Sequence, residues 1–191
     1  MLLVVLVGLA LVLLARDRRT DNIITGNQHW YSSYDFYECD RYLGVFYPAA
    51  TDADQAIVAE GDGLIHVQPF HGSATSATSS VGGFMAAAGV RITDSSLELP
   101  DGRVLRESDA VCAAPDGDGE PGAELRVLRW NNVDAPGAVV FVDDLAGVRL
   151  SDNGQVVGFA LVHPDLDSAD VPLPDTTALR EKLDLEPADD G

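Results

Sequence analysis

The chain has 191 residues, of which 46 % are apolar, so a packed core is available and disorder throughout is excluded. Acidic residues number 31 and basic residues 12, which gives a formal net charge of −19. A body this acidic repels nucleic-acid phosphate and anionic lipid headgroups. The composition therefore predicts no nucleic-acid partner for the folded part.

An uninterrupted apolar run opens the chain, from Leu2 to Ala15. The basic segment Arg16–Arg19 follows directly, and no small-residue cleavage site separates the two. A spanning helix needs about 20 residues, whereas the apolar core of a secretory signal is shorter and closer to this run. The pattern predicts a membrane anchor or uncleaved signal over residues 1–19, held in the membrane by residues 2–15, and a tether over residues 20–28.

Two topologies compete for this anchor. If translation starts upstream of Met1, additional basic and apolar residues precede the run and the body lies outside the cytoplasm. If Met1 is the start, the arginines after the run hold the body in the cytoplasm on a short, tilted reverse anchor. We expect the first topology, which makes the chain a single-pass protein of the cell membrane with an extracytoplasmic body.

The remaining sequence predicts a single α+β domain over residues 29–183, rich in antiparallel strands with one or two short helices, and an acidic tail over residues 184–191. Strands are indicated by alternation of apolar and polar residues, and turns by Gly, Pro, Asp and Asn. The predicted elements in chain order are an aromatic strand ending at Cys39, a strand over 64–70, a helix over 81–88 capped by Ser79 or Ser80, a hairpin over 96–106 with a Pro-Asp-Gly turn, strands over 124–130, 138–142, 147–150 and 155–162, and a helix over 175–183.

The two cysteines are Cys39 and Cys112, and neither belongs to a Cys-x-x-Cys motif. In an extracytoplasmic compartment we expect them to form one disulfide, which closes a loop of about 73 residues. Two buried thiols in a cytoplasmic domain are one alternative, and a catalytic Cys–His pair is another.

Candidate metal ligands lie around the strand over 64–70. Glu60, His66 and His71 are the candidates, with Asp62 between the first two. No two histidines have His-x-His or His-x-x-x-His spacing, and the strand face that carries His66 continues with Gln68, which is a poor zinc ligand. We therefore expect no bound metal or other cofactor, and interpret His66 as a half-buried histidine that is hydrogen-bonded within the sheet.

Several motifs between residues 29 and 165 form a distinctive combination: His29-Trp30, Tyr37 and Cys39, then Gly61–His66 with Pro69-Phe70, then Cys112 and the strand Glu124–Val127. This combination resembles an uncharacterised group of single-anchor extracytoplasmic proteins of actinobacteria, whose pattern is His-x-His-Gly-Asp-Gly-x-Ile-His-x-His-Pro-Phe. The resemblance implies a small mixed sheet of β-grasp type in the C-terminal part, and it implies no activity.

The histidine pattern of that group is largely replaced in this chain. Val58, Glu60 and Gln68 occupy three of its four histidine positions, and only His66 is retained. If the group's histidines bind a metal ion, the resemblance implies a lost or weakened site in this chain.

The sequence lacks the short motifs of serine hydrolases, nucleotide-binding loops and helical zinc proteases. We therefore expect a membrane-anchored extracytoplasmic accessory or assembly protein that acts through contact with an unidentified protein partner, and not an enzyme. The alternatives are a metal-binding or enzymatic domain that uses Glu60, His66 and His71, and an acidic cytoplasmic domain on a reverse anchor.

Overall fold

The computed structural model describes residues 29–44, 57–68, 79–109, 112–117 and 119–185. The predicted anchor, the predicted tether, His71 and residues 186–191 of the acidic tail lie outside these ranges. Among the residues that the structure describes, no helix has both the length and the apolar character needed to cross a membrane.

The described residues form a small α+β structure, as the sequence predicts. Its strands are β1 (Trp30–Glu38), β2 (Arg41–Tyr42), β3 (Ile57–Ala59), β4 (Leu64–Val67), β5 (Ile92–Thr93), β6 (Ser96–Glu98), β7 (Val104–Arg106), β8 (Glu124–Trp130), β9 (Val139–Phe141) and β10 (Gln155–Val162). Its α-helices are α1 (Val81–Ala87) and α2 (Thr177–Lys182), and short 3-10 helices lie at Leu145–Gly147 and Ser168–Asp170.

The main sheet has the strand order β3-β4-β1-β10-β8-β9, and β2 pairs with the end of β1. Its two central strands, β1 and β10, are parallel and pair from Ser32↔Gln155 to Glu38↔Leu161, whereas the other described pairs in the sheet are antiparallel. The sheet is therefore mixed. Strands β5, β6 and β7 form a separate antiparallel sheet.

One face of the main sheet packs against α1 and the small sheet. The rings of Phe36 and Phe159 stack there at 5.1 Å between centroids, on the two central strands. Helix α1 begins after Ser80, whose Oγ accepts a hydrogen bond from the Gly83 N–H at 3.2 Å, as the predicted cap requires. Gly82 allows α1 to approach the Leu145–Gly147 turn, because a Cβ atom there would lie 2.9 Å from the Ala146 carbonyl oxygen.

The other face packs against α2 and the segment that leads into it. Its buried residues include Leu64, Leu128, Trp130, Val156 and Leu179. Because both faces of the sheet are covered, side chains that point to either face are buried in the central strands. All eight residues of β10 are buried for this reason.

The strand predicted over residues 147–150 is wrong. The chain there leaves a 3-10 turn and makes only a single β-bridge, between Arg149 and Ser80. Val148 and Leu150 are nevertheless buried, because they pack into the cluster around α1. The alternation of apolar and polar residues correctly indicates that every second residue is buried. It does not show that the segment pairs with a neighbouring strand.

Cys39 and Cys112 form a disulfide, with Cα atoms 5.0 Å apart and 73 residues between them in sequence. This confirms the expected pairing, and it leaves neither a free thiol nor a Cys–His pair. The bond joins the end of β1 to the loop that precedes β8, where Cys112 forms a β-bridge with Gly122.

Candidate functional site

The β3–β4 hairpin places polar side chains at one end of the main sheet. Its register pairs Val58 with His66 and Ala59 with Ile65. The connecting turn contains Gly61 and Gly63 at φ +77° and φ +81°, which is backbone that residues with a side chain rarely adopt. This turn leads Glu60 and Asp62 back over the strand face that carries His66.

The His66 cluster, which we define as Glu60, Asp62, His66 and Gln68, is held by direct polar contacts. His66 Nε2 lies 2.8 Å from Asp62 Oδ2, and His66 Nδ1 lies 3.6 Å from Glu60 Oε2. The Gln68 amide nitrogen donates to Glu60 Oε1 at 3.2 Å. The side chain of His66 is only 2 % exposed, whereas both carboxylates reach solvent, so the expectation of a half-buried histidine is wrong.

Aromatic packing surrounds the ring of His66. Tyr31 is its neighbour on β1, and the two rings meet edge to face with centroids 5.1 Å apart. Lys182 of α2 lies over the ring of Tyr31, with Nζ 4.9 Å from the ring centroid. The imidazole is therefore fixed in position, and Asp62 beside it is also held, because its Oδ1 accepts the Leu64 N–H at 3.1 Å.

The structure brings together two of the three predicted metal ligands, Glu60 and His66, and adds Asp62 to them. The third, His71, lies outside the described residues. Among the described residues, one ligand atom from each of Glu60, Asp62 and His66 lies within 4.8 Å of the other two. The Gly-Asp-Gly turn is the signal in the sequence that anticipates this convergence.

Another buried histidine, His163, has a structural role. Its Nε2 lies 3.0 Å from the Glu120 carbonyl oxygen, and its Nδ1 accepts the Asp165 N–H at 3.1 Å. Both ring nitrogens are therefore occupied by backbone groups, and His163 is no ligand candidate.

A second polar group, Asp35, is buried on the sheet face that α2 covers. Burial raises the pKa of Asp35, and the charge of Asp175 raises it further, although the Phe36 N–H donates to Asp35 Oδ1 at 2.7 Å. Burial and the charge of Asp35 also raise the pKa of Tyr42, whose hydroxyl donates to the Pro172 carbonyl oxygen. These contacts attach the segment before α2 to the sheet.

Replacing Asp35 by asparagine is expected to stabilise the protein at neutral pH. A raised pKa in the folded state means that the folded state binds the proton more tightly, so the contribution of Asp35 to stability falls as the pH rises above about 4. Asparagine still accepts the Phe36 N–H and carries no charge. Thermal unfolding should give Asp35→Asn a higher Tm than the wild type at pH 7, with the difference shrinking toward pH 3.

The exposed Asp143→Asn serves as the control, and its Tm should stay close to that of the wild type because substitutions of exposed side chains change stability little. A constant destabilisation of Asp35→Asn at both pH values would contradict the assignment, because it would show that the charge of Asp35 is not what costs stability.

Strand β9 ends the main sheet opposite the His66 cluster, and it exposes apolar side chains. Val139, Val140 and Val142 are 45 %, 38 % and 43 % exposed. Phe141 between them is partly buried, and Arg129 of β8 lies over its ring at 5.2 Å. Within the described ranges, β9 pairs with β8 alone.

No protein-family model matches the chain, and no curated protein or solved structure matches it significantly.

Proposed function

We propose that this chain is a membrane-anchored extracytoplasmic accessory or assembly protein that binds a partner through the edge strand β9. The apolar run from Leu2 to Ala15 supports the anchor. The disulfide between Cys39 and Cys112 supports the compartment, because disulfides persist in oxidising environments and are rare in the cytosol.

The exposed edge of β9 is the observation that carries the proposed contact. Its backbone pairs on one side with Val127–Arg129 of β8, and no other strand of the described chain covers the second side. Charges, proline, bulges or a very short strand protect natural edge strands. β9 is short, with three residues, but the sequence from Val139 to Val142 is Val-Val-Phe-Val, without a charge or a proline. An apolar edge of this kind is a template for strand addition, in which main-chain hydrogen bonds provide the affinity.

The charge of the chain indicates what kind of strand pairs with the free edge of β9. Two copies of a chain with a net charge of −19 repel each other, which disfavours pairing of β9 with itself. Asp143 and Asp144 follow the apolar residues directly. The partner is therefore a different protein that contributes an extended segment, apolar in its centre and flanked by lysine or arginine.

Photo-crosslinking from β9 in the native membrane tests this contact. The full chain carries a benzoylphenylalanine at position 140, and a matched chain carries it at position 104, where the exposed Val104 lies on β7 of the separate small sheet. Position 140 is expected to crosslink to one protein, with the crosslinked residues in a single extended segment flanked by basic residues. Val142→Lys should lower this crosslinking yield about tenfold or more. A lysine beside an edge strand disfavours pairing with another strand, and its charge repels the basic residues that flank the partner's segment.

Two outcomes would contradict the proposal. Equal capture of the same protein from position 104 would show that the contact is not specific to β9. Capture of only a second copy of this chain from position 140 would show that the edge serves self-association.

A further inference from the structure

We propose that Glu60, Asp62 and His66 bind one divalent transition-metal ion at the end of the β3–β4 hairpin. This inference goes beyond the proposed partner contact and does not depend on it, because the cluster and β9 lie at opposite ends of the main sheet. One ligand atom from each of the three residues lies within 4.8 Å of the other two.

The donor set fits an ion such as Zn²⁺. An imidazole nitrogen with two carboxylates is a three-ligand set, which leaves a fourth position for water or a group from another molecule. Metal–ligand bonds of about 2.0–2.2 Å in a tetrahedral site place neighbouring ligand atoms about 3.3–3.6 Å apart. Asp62 Oδ2 lies 2.8 Å from His66 Nε2, whereas Glu60 Oε2 lies 3.6 Å from the other ring nitrogen, Nδ1. An ion bound at one nitrogen therefore requires the more distant carboxylate to move toward it.

The cluster is also pre-organised for an ion. The ring of His66 is held by Tyr31 and by the strands on either side, so binding needs no reordering of the nitrogen ligand. The Gln68 amide orients one oxygen of Glu60, and such a contact to a ligand commonly supports a metal site from outside. Asp62 is held as well, because its Oδ1 accepts the Leu64 N–H at 3.1 Å while its Oδ2 faces the ring.

The cluster gathers metal-ligand atoms without a cationic side chain among them. Each ring nitrogen of His66 faces a carboxylate oxygen, and imidazole nitrogens and carboxylate oxygens are both ligands that Zn²⁺ takes in proteins. The sequence contains no lysine or arginine from residue 42 to residue 90. In the described part of the chain, neither Glu60 nor Asp62 forms an ion pair with an arginine or lysine, and Lys182 lies over the Tyr31 ring instead.

This proposal reverses the expectation drawn from the sequence, which was that no metal is bound. That expectation looked for further ligands at strand spacing from His66, where Leu64 and Gln68 lie. The turn supplies them instead, because two glycines with positive φ fold Glu60 and Asp62 over the ring.

Calorimetric titration of the full chain with Zn²⁺ tests the site. The protein is purified in detergent micelles, treated with a chelator and dialysed before titration. We expect one equivalent of Zn²⁺ to bind, and we expect Glu60→Gln and Asp62→Asn each to weaken the affinity about tenfold or more. These variants keep the shape of the side chain and leave the buried His66 in place, so their apo forms should keep the wild-type melting temperature.

Asp143→Asn is the matched control, because it removes one exposed carboxylate far from the cluster along the sheet. Its affinity for Zn²⁺ should equal that of the wild type, and Mg²⁺ should bind the wild type more weakly than Zn²⁺ because of the nitrogen ligand. The proposal is overturned by absence of saturable binding, by unchanged affinity in both Glu60→Gln and Asp62→Asn, by equal loss in Asp143→Asn, or by equal affinity for Mg²⁺. None of these results bears on crosslinking from β9.

Discussion

Replacing Cys39 and Cys112 together by serine is expected to lower the free energy of unfolding by about 4 kcal/mol. The disulfide closes 73 residues, so its loss returns a large amount of conformational entropy to the unfolded chain. It also anchors the loop before β8 to the end of β1, and no other covalent link crosses the sheet. Urea unfolding of the full chain in micelles, followed by tryptophan fluorescence, measures the change.

Reduction provides the control for this substitution. Addition of a reductant should destabilise the wild type to the level of the double serine variant and leave that variant unchanged. A loss below about 1 kcal/mol in both would contradict the chain-entropy argument. In protein freshly isolated from native membranes and alkylated without reduction, we expect no modified cysteine, and two modified cysteines would argue against an extracytoplasmic body.

Replacing Arg126 by leucine is expected to cost about 3 kcal/mol of stability. Arg126 lies on β8 and is 5 % exposed, and its Nε donates to Glu124 Oε2 at 2.6 Å. The terminal nitrogens donate to three oxygens of the segment after β10: the carbonyl oxygens of Pro164 and Leu166, and the Ser168 hydroxyl, at 2.6, 2.7 and 2.9 Å. Leucine fills part of the space but donates to none of these acceptors. Chemical unfolding of the full chain measures the loss.

Two further variants make this prediction specific. Arg126→Lys keeps the charge but not the planar set of donors, so it should recover only part of the lost stability. Arg103→Leu removes an arginine from an exposed ion pair with Asp101, and no measurable change is expected. Equal stability of Arg126→Leu and Arg103→Leu would show that the buried network contributes nothing.

The parts of the fold that depend on short stretches of sequence were predictable. The hairpin over residues 96–106 follows from its Pro-Asp-Gly turn, and Gly102 adopts φ +84° there as the turn requires. Helix α1 begins at a serine cap, and the disulfide follows from two cysteines in a chain with an apolar N-terminus. Each of these features is decided by residues close in sequence or by the chemistry of a single pair.

The candidate site was predictable only in part. Glu60 and His66 were named from residue type and proximity, but strand spacing argued against a ligand set. The register of the hairpin, which pairs Val58 with His66, and the path of the turn decide that the carboxylates meet the ring. The register of the hairpin and the path of the turn depend on the backbone conformation of Gly61 and Gly63. Residue type and strand spacing do not show that conformation.

By itself, the sequence of this protein determined the α+β class, most strand positions, the cysteine pair and the acidic character of the body. Only the tertiary structure decided that β1 and β10 pair in parallel at the centre of the sheet and that both faces are covered. Alternation marks one face of a strand as apolar, but it cannot show that α2 and the segment before it cover the other face. That second layer buries Asp35 and Arg126, because long-range packing and not local sequence sets the surroundings of a side chain.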